Sequence, residues 1–278
     1  MRKARHRRRG GIFLFVLLFL VLLTADSNVR IVTQEYQLSY DTLPRAFDGF
    51  RIVQLSDLHA RSFGTENIRL ISAVTAARPD IIAVTGDLVD GEGQGGYVRE
   101  LMTALTAIAP VYYVTGNHEW ASGMIGELFD ILDDCGVTAL RNTYTVLERG
   151  GASILLAGLE DPNGPADMET PGQVMEQLRE ETGGGFTVLL AHRNRVEEYA
   201  LLGAQLVLCG HAHGGLIRLP FTDGLIDTNR DWFPTYTCGV YTENGTDVLV
   251  SPGLGNSVPV PRFLNNPQVC VAVLHTAG

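Results

Sequence analysis

Gln54-Leu55-Ser56-Asp57-Leu58-His59 is the stretch whose reading decides the fold. A carboxylate and an imidazole stand two residues apart, directly after the apolar run Phe50–Leu55. Folding asks for neither there. Divalent metals do, because carboxylate oxygen and neutral imidazole nitrogen are their usual ligands. Alone, Asp-x-His is a weak pattern, common in loops that hold no metal. The regular spacing of three later motifs gives it weight.

Downstream, the sequence alternates short apolar runs with helical periodicity. Residues 66–77 place Ile68, Ile71 and Val74 at helical spacing before Pro79. Residues 80–85 read as a short buried strand, 97–108 as a helix with Val98, Leu101, Leu105 and Ile108 on one side, and 111–115 as the next strand. Single helices between strands predict a parallel βαβ series. Gly86-Asp87 closes the second strand thirty residues after Asp57, and Gly116-Asn117-His118-Glu119 closes the third after thirty more. One βαβ unit takes roughly 30 residues. Asp57, Asp87 and Asn117 are therefore expected side by side at the carboxyl edge of one sheet, where open α/β folds place their sites. Gly86 and Gly116 are expected to allow the tight turns.

The second half carries more β character. A helix is expected over 124–135, strands over 143–148 and 153–159 joined by Gly150-Gly151, and a helix over 171–181 capped by Thr170. Strands over 186–191 and 206–209 end in His192 and in Gly210-His211-Ala212-His213. A long loop over 220–233, a hairpin turning at Glu243-Asn244-Gly245 and a closing strand over 269–275 complete the chain. Five of its seven histidines, His59, His118, His192, His211 and His213, follow strands. One such histidine is ordinarily structural; five converging on one edge with two aspartates and an asparagine read as a metal centre.

Net charge is −10, and removing Arg2, Lys3, Arg5, Arg7, Arg8 and Arg9 takes the remainder to −16. An acidic body argues against gripping nucleic-acid phosphates, so no nucleic-acid partner is expected. Cys135, Cys209, Cys238 and Cys270 show neither zinc-ribbon spacing nor a disulfide framework. Residues 1–28 read as a signal anchor: six cations, then twelve apolar residues over 12–23, then a polar stretch. Twelve is short for a span of ~20 residues, but Leu23 and Ala25 make a poor cleavage site. The cations place the N-terminus in the cytoplasm, the segment in the cell membrane and the domain over 29–278 on the extracytoplasmic side. A strand is expected over 29–40.

Asp57-x-His59, Gly86-Asp87-x-x-Asp90, Gly116-Asn117-His118-Glu119, His192 and Gly210-His211-x-His213, in this order across residues 50–215, resemble the full motif set of the calcineurin-like metallophosphoesterase superfamily. The N-terminal anchor, with Gly253-Leu254-Gly255 and the stretch from Pro261-Arg262-Phe263 to Pro267, is similar to a bacterial subgroup of membrane- or wall-associated phosphodiesterases of the YaeI/YkuE type. That subgroup is related to enzymes that cut the pyrophosphate of UDP-diacylglucosamine. The resemblance implies a four-layer α/β/β/α sandwich and two divalent metal ions (Mn, Fe, Zn or Co). One ion would be held by Asp57, His59, Asp87 and His213, the other by Asp87, Asn117, His192 and His211. His118 would be the catalytic acid and Glu119 its orienting partner. Asp90 would support the site indirectly or merely cap a loop.

Arg61, Arg193 and Arg262 are candidates for holding substrate phosphate, although Arg193-Asn194-Arg195 departs from the family's pattern after His192. The expected function is hydrolysis of a phosphodiester or pyrophosphate, of a lipid- or nucleotide-linked substrate among others, by a membrane-anchored enzyme. A phosphomonoesterase on the same site and an inactive protein-binding scaffold are the alternatives, and the presence of every expected ligand argues against the scaffold.

Overall fold

The computed structural model describes residues 2–219, 221–227 and 231–277, with side chains from residue 11 onward. Pro220 and residues 228–230 of the expected long loop lie outside the described residues, as do the side chains of the N-terminal cations.

In chain order the helices are α1 (Arg2–Val29), α2 (Ile68–Ala77), α3 (Gly95–Thr106), α4 (Asn117–Ala121), α5 (Ile125–Asp134), α6 (Pro171–Thr182) and α7 (Val196–Tyr199). The strands are β1 (Val32–Tyr40), β2 (Phe50–Leu55), β3 (Ile81–Thr85), β4 (Val111–Val114), β5 (Thr138–Ala139), β6 (Thr143–Arg149) and β7 (Ala152–Gly158). They continue with β8 (Thr187–Leu190), β9 (Leu206–Cys209), β10 (Gly239–Glu243), β11 (Thr246–Val250) and β12 (Gln268–Thr276).

Two six-stranded sheets result, ordered β1-β12-β2-β3-β4-β5 and β10-β11-β9-β8-β7-β6. As the thirty-residue rhythm predicts, β2, β3 and β4 run parallel. The closing strand β12 is a departure from a purely parallel series: it inserts between β1 and β2, antiparallel to β2.

Strand side chains alternate between faces, and this alternation builds the layers. Ile52 and Ala83 of the first sheet meet Leu156, Val188, Leu208 and Leu249 of the second in a buried apolar core. Val53, Leu55 and Val84 point the other way, onto α2, α3 and α5. Leu155, Leu189 and Val207 likewise turn outward onto α6 and α7. Each sheet thus covers one face with its twin and the other with helices, which gives the expected α/β/β/α sandwich.

One boundary differs from expectation. The helix does not stop at the polar stretch after Leu23, and Val29 is its last residue rather than the start of a strand. The hydroxyls of Thr24 and Ser27 and the amide of Asn28 bond back to the carbonyls of Leu20, Leu23 and Thr24, so the polar residues serve their own turn. Within α1, Gly11–Val29 forms a 19-residue window of mean hydropathy 2.3, long and apolar enough to cross a membrane.

Candidate metal centre

The carboxyl ends of β2, β3, β4, β8 and β9 converge, and the turns that leave them carry the site. Asp57, His59, Asp87, His211 and His213 all hold a left-handed backbone, with φ of 51°, 50°, 53°, 69° and 47°. Residues with side chains adopt that region at a cost, and persist there only where their surroundings over-determine them. Gly86 turns at φ +81°, and a Cβ there would lie 2.6 Å from the Gly116 nitrogen and 2.7 Å from His192 Nδ1. Gly116 is needed for another reason than the one expected. Its backbone is extended, at φ −105°, and a Cβ would strike the Asp87 carboxylate and nitrogen. The requirement is for room, not for a turn.

Among the described residues three groups of donors form, one of them His59, Asp90 and His118, and the other two share Asp87. Asp57, His59, Asp87 and His213 make one and Asp87, His192 and His211 the other, the donor atoms within each lying no more than 4.8 Å apart. Asp87 Oδ2 stands 3.8 Å from His59 Nε2 and 3.3 Å from His192 Nε2, so it belongs to both. Asn117 Oδ1 lies 3.1 Å from His192 Nε2 and joins the second group.

The tautomers are fixed from outside. His59 Nδ1 donates to Asp90 at 2.5 Å, and His192 Nδ1 donates to the Thr85 carbonyl at 2.9 Å. Each then turns its Nε2 inward. His59 Nε2 faces His213 Nε2 at 3.1 Å; His192 Nε2 faces His211 Nδ1 at 3.1 Å and the Asn117 carbonyl. Imidazole nitrogens facing one another across 3.1 Å, walled by the buried carboxylates of Asp57 and Asp87, make the N/O donor sets that divalent ions take. The donor set fits two dications.

The carboxylates and burial pull the imidazoles in opposite directions. Burial disfavours a charge on His192, yet the Asp87 carboxylate pushes its pKa up to about 10. Burial, with the charges of His192 and Arg193, pulls His211 down to about 2. Burial also raises the Asp57 carboxyl, against the attraction of His192.

Glu119 does not orient His118. It is fully buried and accepts from the backbone nitrogens of Asp87, Leu88 and Gly116 at 3.0, 2.5 and 2.6 Å. It pins the β3 and β4 turns together, and its influence on His118 is through its charge alone. Asp90 takes the orienting role: its carboxylate meets His118 Nδ1 at 3.1 Å as well as His59 Nδ1. The hydrogen bond to Asp90 holds the His118 pKa above its ordinary value. His118 Nε2 then sits 4.0 Å from Asp87 Oδ2, with the side chain still 30% exposed. Partners of this kind are worth 10–100-fold in metal affinity or activity, so Asp90→Asn is expected to cost about that much, read as kcat and as metal retained after dialysis.

The three arginines separate. Arg193 lies at the site, its Nη1 3.0 Å from His211 Nε2 and its other guanidinium nitrogens 2.6 and 3.2 Å from buried Asp161. Arg61 stacks over Phe63 instead. Arg262 is fully buried and donates to the carbonyls of Pro252 and Gly255, which excludes it from substrate contact. Its work is structural. The loop it holds returns hydrogen bonds from Leu254 N to Ser56 O and from Gly255 N to Asp57 O. Arg262→Met strips those carbonyls of a charged donor and is expected to cost roughly 1.5–3 kcal/mol in urea unfolding.

Sequence reasoning misses Gln54 and Asp161, which no motif marks. Gln54 donates to Thr85 Oγ1 and to the Cys209 carbonyl, tying together the strand ends that lead to Asp57, Asp87 and His211. Cys135, Cys209, Cys238 and Cys270 are unpaired in the structure, two of them buried.

Residues 50–215 match the calcineurin-like phosphoesterases. The chain belongs to that family, which implies a metal-dependent phosphoester hydrolase acting on a phosphate ester. Within it the chain falls with the YkuE-like bacterial proteins. It is 31% identical over 260 residues to the uncharacterized metallophosphoesterase YkuE of Bacillus subtilis, covering 89% of this chain and 87% of that protein. An uncharacterized metallophosphoesterase of Aquifex aeolicus is 26% identical over 273 residues, covering 93% and 98%. A transmembrane protein with metallophosphoesterase domain from Danio rerio is 30% identical over 258 residues, covering 87% of this chain and 57% of its own length. Among solved structures, the NAD nucleotidase of Haemophilus influenzae shares the fold, with a TM-score of 0.51 at 15% identity over 74% of this chain and 46% of that one.

Proposed function

We propose that the chain is a membrane-anchored, two-metal phosphoesterase that cuts a phosphodiester or pyrophosphate bond outside the cytoplasm. Asp57, His59, Asp87 and His213 would hold one ion, and Asp87, Asn117, His192 and His211 the other. The observation that carries this reading is Asp87: one carboxylate stands between two groups of inward-facing imidazole nitrogens. A pair of dications in such a site activates a water molecule and neutralises charge on the phosphoryl oxygens.

The chain's own groups do the rest. His118, held by Asp90, presents Nε2 to the space beside Asp87 and would give its proton to the departing oxygen. Arg193, braced by Asp161, offers one guanidinium at the rim. It is the one arginine of the three candidates that reaches the site, and a single cation suits a phosphoryl group of one negative charge better than a monoester dianion.

The test is a comparison of bis-p-nitrophenyl phosphate, p-nitrophenyl phosphate and a pyrophosphate-linked nucleotide. Higher kcat/KM for the diester or the pyrophosphate supports the reading; a monoester preference overturns it. For location, the full chain is expected in the membrane fraction with its domain open to protease added outside intact cells. A domain protected until the cells are lysed would reverse the orientation.

A further inference from the structure

The apolar helix is not joined to the domain by a tether. Only Arg30 and Ile31 separate α1 from β1, and the last turn of α1 is hydrogen-bonded to the 262–266 loop. Asn28 Nδ2 donates to the Arg262 carbonyl at 2.8 Å while Asn28 Oδ1 accepts from Arg262 N at 3.2 Å. Ser27 Oγ, fully buried, accepts from Leu264 N at 2.8 Å, and Asn266 Nδ2 donates to the Asp26 carbonyl. If α1 lies in a bilayer, these bonds decide which face of the domain meets it.

That face carries an apolar cluster, with Asp223, Asp227 and Asp231 on the same loop. Phe263 pairs with the segment after His213, through Arg218 N to Phe263 O at 2.9 Å and Phe263 N to Leu216 O at 3.2 Å. Ile217 in turn accepts from Leu225 N, and Leu225 from Phe233 N at 3.0 Å. Hung on this frame are Leu219, Phe221, Trp232, Phe233 and Leu264, all exposed, with Trp232 at 66% and Phe233 at 65%. In a soluble domain a cluster of this kind marks a contact surface. Trp and Phe are the residues that settle at the boundary between headgroups and acyl chains.

We propose that Leu219, Phe221, Trp232, Phe233 and Leu264 seat in the lipid surface beside α1, so that the domain lies down on the membrane. The occupant is the bilayer because the cluster is continuous, by hydrogen bonds, with the end of the one helix among the described residues long and apolar enough to span it. The tail loop under this face also holds the metal centre: Asn265 Nδ2 donates to the His213 carbonyl at 2.7 Å, and Arg262 fixes the loop against Asp57. The centre would therefore work at the headgroup level, where membrane-borne phosphate esters lie. This proposal rests on the anchor reading.

Trp120 and Trp232 are the chain's two tryptophans, so Trp120→Phe leaves Trp232 as sole reporter in the full chain. The variant is reconstituted into phosphatidylethanolamine–phosphatidylglycerol vesicles, with or without lipids brominated near the headgroup. The proposal expects blue-shifted Trp232 emission that brominated lipid quenches. Adding Phe221→Ser and Phe233→Ser is expected to remove most of that quenching, and quenching unchanged by them overturns the assignment. Retention in the vesicles through alkaline washing, with water-exposed and unquenched emission, overturns this proposal and leaves the anchor standing. Blue-shifted emission indifferent to brominated lipid means a second copy or another protein covers the face, and also overturns it. Failure to be retained overturns the anchor reading and this proposal together.

Discussion

Replacing His118 with Asn is expected to leave about two metal ions per chain while turnover of an alkyl phosphodiester falls by about 10²–10⁴. The asymmetry arises from position. His118 is one residue past Asn117, yet its ring nitrogens are engaged elsewhere: Nδ1 with Asp90, and Nε2 turned toward the Asp87 side, 4.0 Å from Oδ2. It is surplus to both donor groups that share Asp87. Proton donation matters most when the departing oxygen is strongly basic, so an alkoxide-leaving substrate should suffer the full loss. A p-nitrophenolate leaving group hardly needs a proton and should be affected little. Loss of metal would move His118 among the ligands. Equal slowing on both leaving groups would make it an electrostatic clamp instead of an acid.

Asp87→Ala is expected to abolish activity by emptying both positions, whereas His59→Ala should empty mainly one. Asp87 is the carboxylate common to the two groups, and it is nearly fully buried. It also accepts from His118 N at 2.9 Å, so its removal loosens the β4 turn as well as the ions. Metal analysis of the two variants after gel filtration separates the cases. Equal loss of one ion from each would mean that Asp87 serves a single position.

The legible part of this molecule is the part written in periodicity and spacing. Thirty-residue intervals between Asp57, Asp87 and Asn117 place three strand ends together because each βαβ unit spends nearly the same number of residues returning to the sheet. His59 and His118 leave those same strand ends, while His192, His211 and His213 arrive from β8 and β9 of the second sheet. What escapes a sequence reading is interaction between residues distant along the chain. Nothing near position 268 announces that β12 will slide between β1 and β2, since an apolar strand reads alike at an edge or in the middle. Glu119 reads as a partner for His118 because it is its neighbour, but a side chain one residue along a helix points elsewhere. It turns inward to three orphan backbone donors, and the carboxylate beside His118 comes from Asp90, twenty-eight residues earlier. Arg262 reads as a candidate for substrate phosphate and is fully buried, since a sequence gives no sign of carbonyls at positions 252 and 255 waiting for a donor. The extension of α1 through Ser27 and Asn28 is hidden likewise, because their caps lie on a loop more than two hundred residues away.

The central claim is that the two donor groups sharing Asp87 would hold two metal ions on which the hydrolysis depends. It is tested most directly by metal analysis of the purified full chain, joined to diesterase assays before chelation, after it, and after adding metal back. The account predicts about two transition-metal ions per chain, activity that disappears with them and activity that returns on adding Mn²⁺ or Zn²⁺. A chain that holds no transition metal and hydrolyses the diester undiminished in chelator would contradict it.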